Sequence, residues 1–263
     1  MATWEDGEEI AIIHDEIIDK LTVSSVNETS GSAEITGELT GTLVNGTKAE
    51  VIYPYSAVDL DKKALKADLI KEQEGSLKTV SEKLDVRQGS GTLVLLSVGD
   101  TQYASFDKGM SLYPKYAFIK FTLTGDNSSP VNATKFVMKD IEGDANDILT
   151  TVTPATASSE LFVAIEKANI IKNYQFDITI GSKTYQIVKR SGTYFQPGYI
   201  YRTEFKLDDT GSATIKTFDP SEGKFVDIII PGSITKTMTE SDTKWKPGTY
   251  VIDNDITINK TIT

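Results

Sequence analysis

In Tyr174-Gln175-Phe176-Asp177-Ile178-Thr179-Ile180 the large apolar residues take every second position, the period of a strand with one face buried and one wet. After Gly181-Ser182 the alternation resumes in Lys183-Thr184-Tyr185-Gln186-Ile187-Val188-Lys189. A two-residue link that begins with glycine predicts a tight hairpin, because glycine supplies the positive φ such turns need. A third run sets Tyr199, Tyr201, Phe205 and Leu207 on one face and Arg202, Glu204, Lys206 and Asp208 on the other. This predicts another half-buried antiparallel strand with its polar face in solvent. The same period, broken by Gly, Asn and Ser clusters, predicts strands near residues 9–13, 17–23, 32–43, 49–55 and 92–98. Residues 62–74 suit a helix by composition, while Leu65, Ala67 and Leu69 alternate as in a strand, so both readings stand.

Residues 115–123 put Ala117, Ile119, Phe121 and Leu123 on one face directly after Leu112-Tyr113-Pro114, which predicts the first strand of a second domain and a boundary near residue 112. Strands near 131–141, 148–153, 161–165, the three runs above and 212–218 then make a seven- or eight-stranded set, as in a sandwich.

A strand carrying Phe162-Val163-Ala164-Ile165, then the Tyr174 to Ile180 hairpin, then Phe195-Gln196-Pro197-Gly198-Tyr199-Ile200-Tyr201-Arg202 resembles the C-terminal domain of the fimbrillin-like proteins, subunits of Bacteroides-type surface fimbriae. Upstream, Trp4-Glu5-Asp6-Gly7-Glu8-Glu9-Ile10 is similar to the opening of that family's N-terminal domain, and Val51-Ile52-Tyr53-Pro54-Tyr55 to its Tyr-Pro-Tyr strand. Gln73 and Gly75, followed by Leu84-Asp85-Val86, sit where the family has a Gln-x-Gly turn and then an Asp; the family's Pro before that Gln is replaced by Ile70-Lys71-Glu72. The resemblance covers residues 1–225 in the right order. It implies two antiparallel, transthyretin-like β-sandwich domains in tandem, 1–112 and 113–225, with a strand-forming tail at 226–263. It further implies outer-membrane export as a lipoprotein, removal of an N-terminal strand, and assembly by insertion of a donor strand from the next subunit. Met1-Ala2-Thr3 runs straight into Trp4 without a charged and apolar leader, so the lipoprotein leader that the resemblance implies is not in this sequence.

Composition narrows the function classes. A net charge of −11 repels phosphate, which argues against nucleic acid or anionic lipid as partner. No apolar run approaches the roughly 20 residues of a membrane helix. With no cysteine there is no disulfide, thiolate nucleophile or cysteine-ligated metal, and stability rests on packing. Catalytic material is thin. His14 is the one histidine, and a lone histidine in a strand is more often a packed or surface residue than a base. With 38 Asp and Glu residues, carboxylate pairs arise by chance, and no phosphate-binding glycine loop is present. Asp140-Ile141-Glu142-Gly143-Asp144-Ala145-Asn146-Asp147 has oxygen ligands at close spacing but misses the EF-hand register, and reads as a solvated acidic loop. Neither metal, cofactor nor reaction is expected.

The tail carries the binding expectation. After Lys246-Pro247-Gly248, Tyr250, Ile252, Ile256, Ile258 and Ile262 share one face, and mostly polar residues share the other. Such a strand could add to a neighbour's open edge through main-chain hydrogen bonds; an ordinary strand of this chain, or the first rung of a further domain, would show the same alternation. The expected partners are other fimbrial subunits, with a host or bacterial surface protein or glycan as receptor. The alternative is a glycan-binding surface lipoprotein that does not polymerise and uses Trp4, Trp245, Tyr53 and Tyr55.

Overall fold

The computed structural model describes residues 4–27, 29–30, 32–125, 127–141, 147–167, 172–193, 195–207, 213–219, 224–230, 232–237 and 249–251, with residues 172 and 189–193 and the last four segments given as backbone only. Strands take 57% of the chain and helix 6%, which is the all-β sandwich class that the alternation predicts. The chain divides into two compact units, Met1–Leu69 with Val80–Tyr116, and Ile70–Thr79 with Ala117–Thr263.

The first unit is one seven-stranded antiparallel sheet. Its strands are β1 (Glu9–His14), β2 (Ile17–Asn27), β3 (Ser32–Thr36) and β4 (Lys48–Tyr53), with a small ladder of β5 (Val58–Asp59) and β6 (Ala64–Leu65) outside the sheet. A two-residue strand, β7 (Glu72–Gln73), belongs to the second unit. The first unit then completes itself with β8 (Arg87–Val98), β9 (Thr101–Phe106) and β10 (Tyr113–Pro114), in the order β10-β8-β4-β1-β2-β3 with β9 also on β8. Ile10, Ile12, Leu21, Val23, Ala49, Val51 and Leu93 bury together on one face. On the other face Ala11 and Ile52 are fully buried, and the 3₁₀ turn Tyr55–Ala57 packs against β1 and β4. Strand β3 ends at Thr36, short of the extended run through residue 43. Thr40 explains the difference: its N–H and hydroxyl both donate to Asp19 of β2, which draws the chain out of the ladder. Residues 62–74 form neither a helix nor one strand, only β6, turns and β7.

The second unit packs two sheets face to face. Its strands are β11 (Ala117–Thr124), β12 (Lys135–Asp140), β13 (Asp147–Val152), β14 (Glu160–Ile165), β15 (Lys172–Ile180), β16 (Lys183–Thr193), β17 (Ile200–Leu207), β18 (Ala213–Asp219), β19 (Lys224–Ile230), β20 (Gly232–Thr237) and β21 (Thr249–Val251). One sheet runs β14-β11-β17-β18-β19, the other β21-β20-β16-β15-β12-β13-β7. The predicted hairpin is present: Ile180 pairs with Lys183, and Gly181 has φ +58 with open space around it. Between the sheets Phe121 lies 4.6 Å from Phe136 and stacks on Phe205 at 5.7 Å, while Phe176 closes on Phe205 at 5.2 Å. One expectation is corrected. Strand β17, expected as an antiparallel strand, is antiparallel only to β18; it lies in the sheet opposite the hairpin and runs parallel to β11, with Phe118 opposite Ile200 and Thr124 opposite Lys206. The link after β16 crosses between sheets, and β12 to β16 supply the long crossover that a parallel pair needs.

Candidate functional site: a strand clasp and a buried histidine

The stretch Ile70–Thr79 leaves first-unit sequence after Leu69 and returns to it at Val80, yet folds as part of the second unit. Its main chain adds a strand to β13: Thr151 N–H donates to Lys71 O and Thr153 N–H to Gln73 O, both at 2.8 Å. It also covers the edge of β14 that β11 does not pair. Phe162 N–H donates to Gly75 O at 2.8 Å, and the Gln73 side chain stands in for a strand residue opposite Ala164. Ala164 N–H donates to Gln73 Oε1 at 2.9 Å, and Gln73 Nε2 donates to Ala164 O at 2.7 Å. The same Nε2 lies 2.9 Å from both Ile70 O and Thr150 Oγ1, so two N–H groups are shared among three acceptors. A buried amide is tolerable only when satisfied in this way, since each orphaned group costs about 1–3 kcal/mol. Gly75 makes the approach possible: its φ is +74, and a Cβ there would lie 2.5 Å from Val152 Cγ1. The segment therefore joins an edge of each sheet of the sandwich.

In the first unit His14 is buried at the end of β1. Its Nε2 donates to Asp19 Oδ2 at 2.8 Å, across a turn whose central residues Asp15 and Glu16 have φ +43 and +67. Both central residues at positive φ is the type I′ pattern, adopted here without glycine. Burial alone would raise the Asp19 carboxyl, but bonds donated by Thr40 Oγ1 (2.7 Å), Thr40 N–H (3.0 Å) and the His14 ring outweigh it and hold the group below the ordinary carboxylate value. His14 Nδ1 faces Asp15 Oδ2 at 3.9 Å, too far for a hydrogen bond. An open cleft of about 920 Å³ lies alongside, lined by Asp15, Glu16, Lys48, Glu50, Ser90 and Thr92. Along it Lys63 pairs with Glu16 at 2.7 Å and Lys48 donates to Thr92 Oγ1 at 2.7 Å. The arrangement staples β1, β2 and the Thr40 turn; the ring nitrogen held by Asp19 is committed to that bond.

The aromatics weighed for glycan contact are engaged within the first unit. Trp4 meets Tyr53 edge-on at 5.1 Å, with the Arg87 guanidinium 5.9 Å from the Trp4 ring. The Tyr53 hydroxyl donates to Glu8, and burial, that bond and the nearby carboxylates raise its pKa well above the usual phenol value. Lys20 Nζ lies 5.5 Å from the Tyr55 ring. Trp245 lies outside the described residues. In the tail, Tyr250 falls in β21, in parallel register with Lys236 of β20; Ile252, Ile256, Ile258 and Ile262 lie outside the described residues. Asp140 and Asp147 are register partners at the ends of β12 and β13, and residues 142–146 lie outside the described residues. Among the described residues no group of three or more His, Asp or Glu could hold a metal ion, and no helix is long and apolar enough to cross a membrane. Sequence reasoning missed the clasp. Its signal was a Gln two residues before a Gly, legible as a turn but not as a buried strand surrogate.

No family model matches the chain, and no curated protein matches it. Among solved structures it is similar to a candidate cell adhesion protein from Bacteroides ovatus ATCC 8483, at 14% identity over 88% of this chain and 89% of that chain with a TM-score of 0.45. A candidate cell adhesion protein from Bacteroides uniformis ATCC 8492 is similar at 14% identity over 87% and 93%, with a TM-score of 0.45. A third, from Bacteroides fragilis NCTC 9343, stands at 13% identity over 87% and 86%, with a TM-score of 0.39.

Proposed function

We propose that this chain is a structural subunit or adhesin of a bacterial surface fimbria, assembling by strand addition and mediating cell adhesion, with no reaction of its own. The observation that carries the reading is the strand capture at Glu72–Gln73. The second unit already takes a strand from outside its contiguous sequence, with main-chain bonds setting register and one side chain recognising the edge. The order of fimbrillin-like motifs from Trp4 to Arg202 supports the same reading. On it, the protein sits at the outer membrane as an exported lipoprotein, and the tail face of Tyr250, Ile252, Ile256, Ile258 and Ile262 is the donor strand. A peptide of residues 248–263 should then bind a subunit trimmed of an edge or first strand and not the intact subunit. Ile256→Asp with Ile258→Asp should abolish binding, because a charge does not enter an apolar groove unpaired. Strong hydrogen-exchange protection of the 256–262 amides in the monomer would show the tail already paired at home and end the donor-strand reading.

A further inference from the structure

Among the described residues, the hairpin of β8 and β9 has an outer half that no other strand pairs with. Beyond Leu93, which bonds Thr47 and Gly46, and Leu95, whose N–H donates to Asn45 Oδ1, the described pairing of β8 is with β9 alone: Leu95 opposite Ala104, Leu96 opposite Tyr103, Val98 opposite Thr101. Strand alternation puts Val94, Leu96 and Val98 on one face, and cross-strand register adds Tyr103 to it. These four side chains are 37%, 64%, 59% and 55% exposed. Single exposed apolar residues are ordinary, but a contiguous set on one sheet face marks a contact surface. Strand β9 also lacks the usual safeguards of an edge, for Thr101–Phe106 contains neither charge nor proline.

We propose that this arm is a docking surface for a second copy of the same chain, the Val94, Leu96, Val98 and Tyr103 faces packing on each other across a twofold axis. Charge selects the occupant. Each copy carries a net −11, so most approaches of two copies are repulsive; from Gln88 through Phe106 the only charged residue is Asp100, in the turn. The arm is therefore a stretch of surface on which two like-charged molecules can meet without opposing like charges, and an apolar face is self-complementary under twofold symmetry. A basic partner would find no acidic counterpart on it. Four side chains per copy are few beside the roughly 20–30 residues a side of a standard interface, so the association is weak and concentration-dependent, suited to lateral contact between molecules already held close. The contact uses side chains of a sheet face and not a main-chain edge, so it stands or falls apart from the donor-strand reading.

Sedimentation equilibrium of the full chain over a wide concentration range tests it. A reversible dimer is expected, and added salt should strengthen it, because screening removes the net repulsion while the apolar contact persists. Leu96→Asp should weaken association by at least about tenfold, since it sets two charges against each other in an apolar contact. Ser97→Asp, on the opposite face of the same strand, should leave it much less affected. A monomer at every concentration and salt level overturns the proposal. So does a dimer that tolerates Leu96→Asp, which places the contact elsewhere. If Leu96→Asp lowers the melting temperature of the monomer as much as Leu93→Ala does, the face is covered within the chain and the proposal is wrong.

Discussion

The two units treat their exposed strand edges in opposite ways. On the second unit the free edges of β13 and β14 are closed by Ile70–Thr79, with Gln73 satisfying Ala164 from a buried position. On the first unit the β8–β9 arm carries apolar residues into solvent on a hairpin whose one charge between Gln88 and Phe106 is Asp100, in the turn. An unpaired edge invites other strands, and proteins normally blunt it. Here the edges of β13 and β14 are blunted by a segment with a dedicated polar side chain, while the arm has no comparable cover among the described residues. The difference separates a feature that specifies the fold from one that is available to the outside.

The largest expected effect fixes the scale of the second unit. Phe176→Ala removes a ring that touches Phe121, Phe136, Tyr174 and Phe205 between the sheets, and should cost about 3–5 kcal/mol in denaturant unfolding. Gln73→Ala should follow at about 2–4 kcal/mol, because it orphans the Ala164 N–H and C=O groups in a closed interior. The Ala164 amide should lose its hydrogen-exchange protection at the same time. If Gln73→Ala is as mild as a surface change, water reaches that edge and the clasp is not what closes it.

How far the sequence discloses this contrast depends on the range over which each signal acts. Alternation from Tyr174 to Lys189 and the Gly181 turn are local, so the hairpin and its buried Phe176 and Ile178 are legible residue by residue. The partner of a strand is not local. The face of Tyr201, Phe205 and Leu207 says that β17 is half buried, but nothing within the strand says that it runs parallel to β11. The clasp is harder still, since β7 has two residues and Gln73 meets Ala164 across 91 positions. The arm shows the converse: residues 92–98 read as a strand, but an apolar run such as Leu93-Val94-Leu95-Leu96 does not say which of its side chains are covered. His14 and Asp19 lie five positions apart, but their pairing needs the Asp15–Glu16 turn, and two acidic residues at positive φ carry little turn signal.

A smaller effect probes the first unit through pH. The folded Asp19 carboxyl lies below its unfolded value of about 3.9, so the unfolded chain binds that proton more readily. The stability contributed by the Asp19 bonds is therefore fully present above that value and is lost as pH falls through it toward the folded value. Melting temperatures between about pH 5 and pH 2 should decline, and Asp19→Asn should flatten the part of that decline that belongs to this unit. An unchanged acid limb in the variant would mean that the His14, Asp19 and Thr40 cluster does not couple to folding.

The smallest effect is the most discriminating for the arm. Tyr103→Ser deletes a whole aromatic ring, a change that costs several kcal/mol where the ring is packed. Tyr103 is largely exposed and lies opposite Leu96, itself exposed, so the folded monomer has little burial to lose. Melting at low protein concentration should shift by no more than about 0.5 kcal/mol, the range of ordinary surface changes. Serine also lacks the β preference of tyrosine, so a small local loosening of the β8–β9 ladder should appear as faster amide exchange between Thr101 and Ser105 without a change in global unfolding. A loss like that of Phe176→Ala would mean that the ring is buried in solution, and the contrast between a closed edge on one unit and an open arm on the other would collapse.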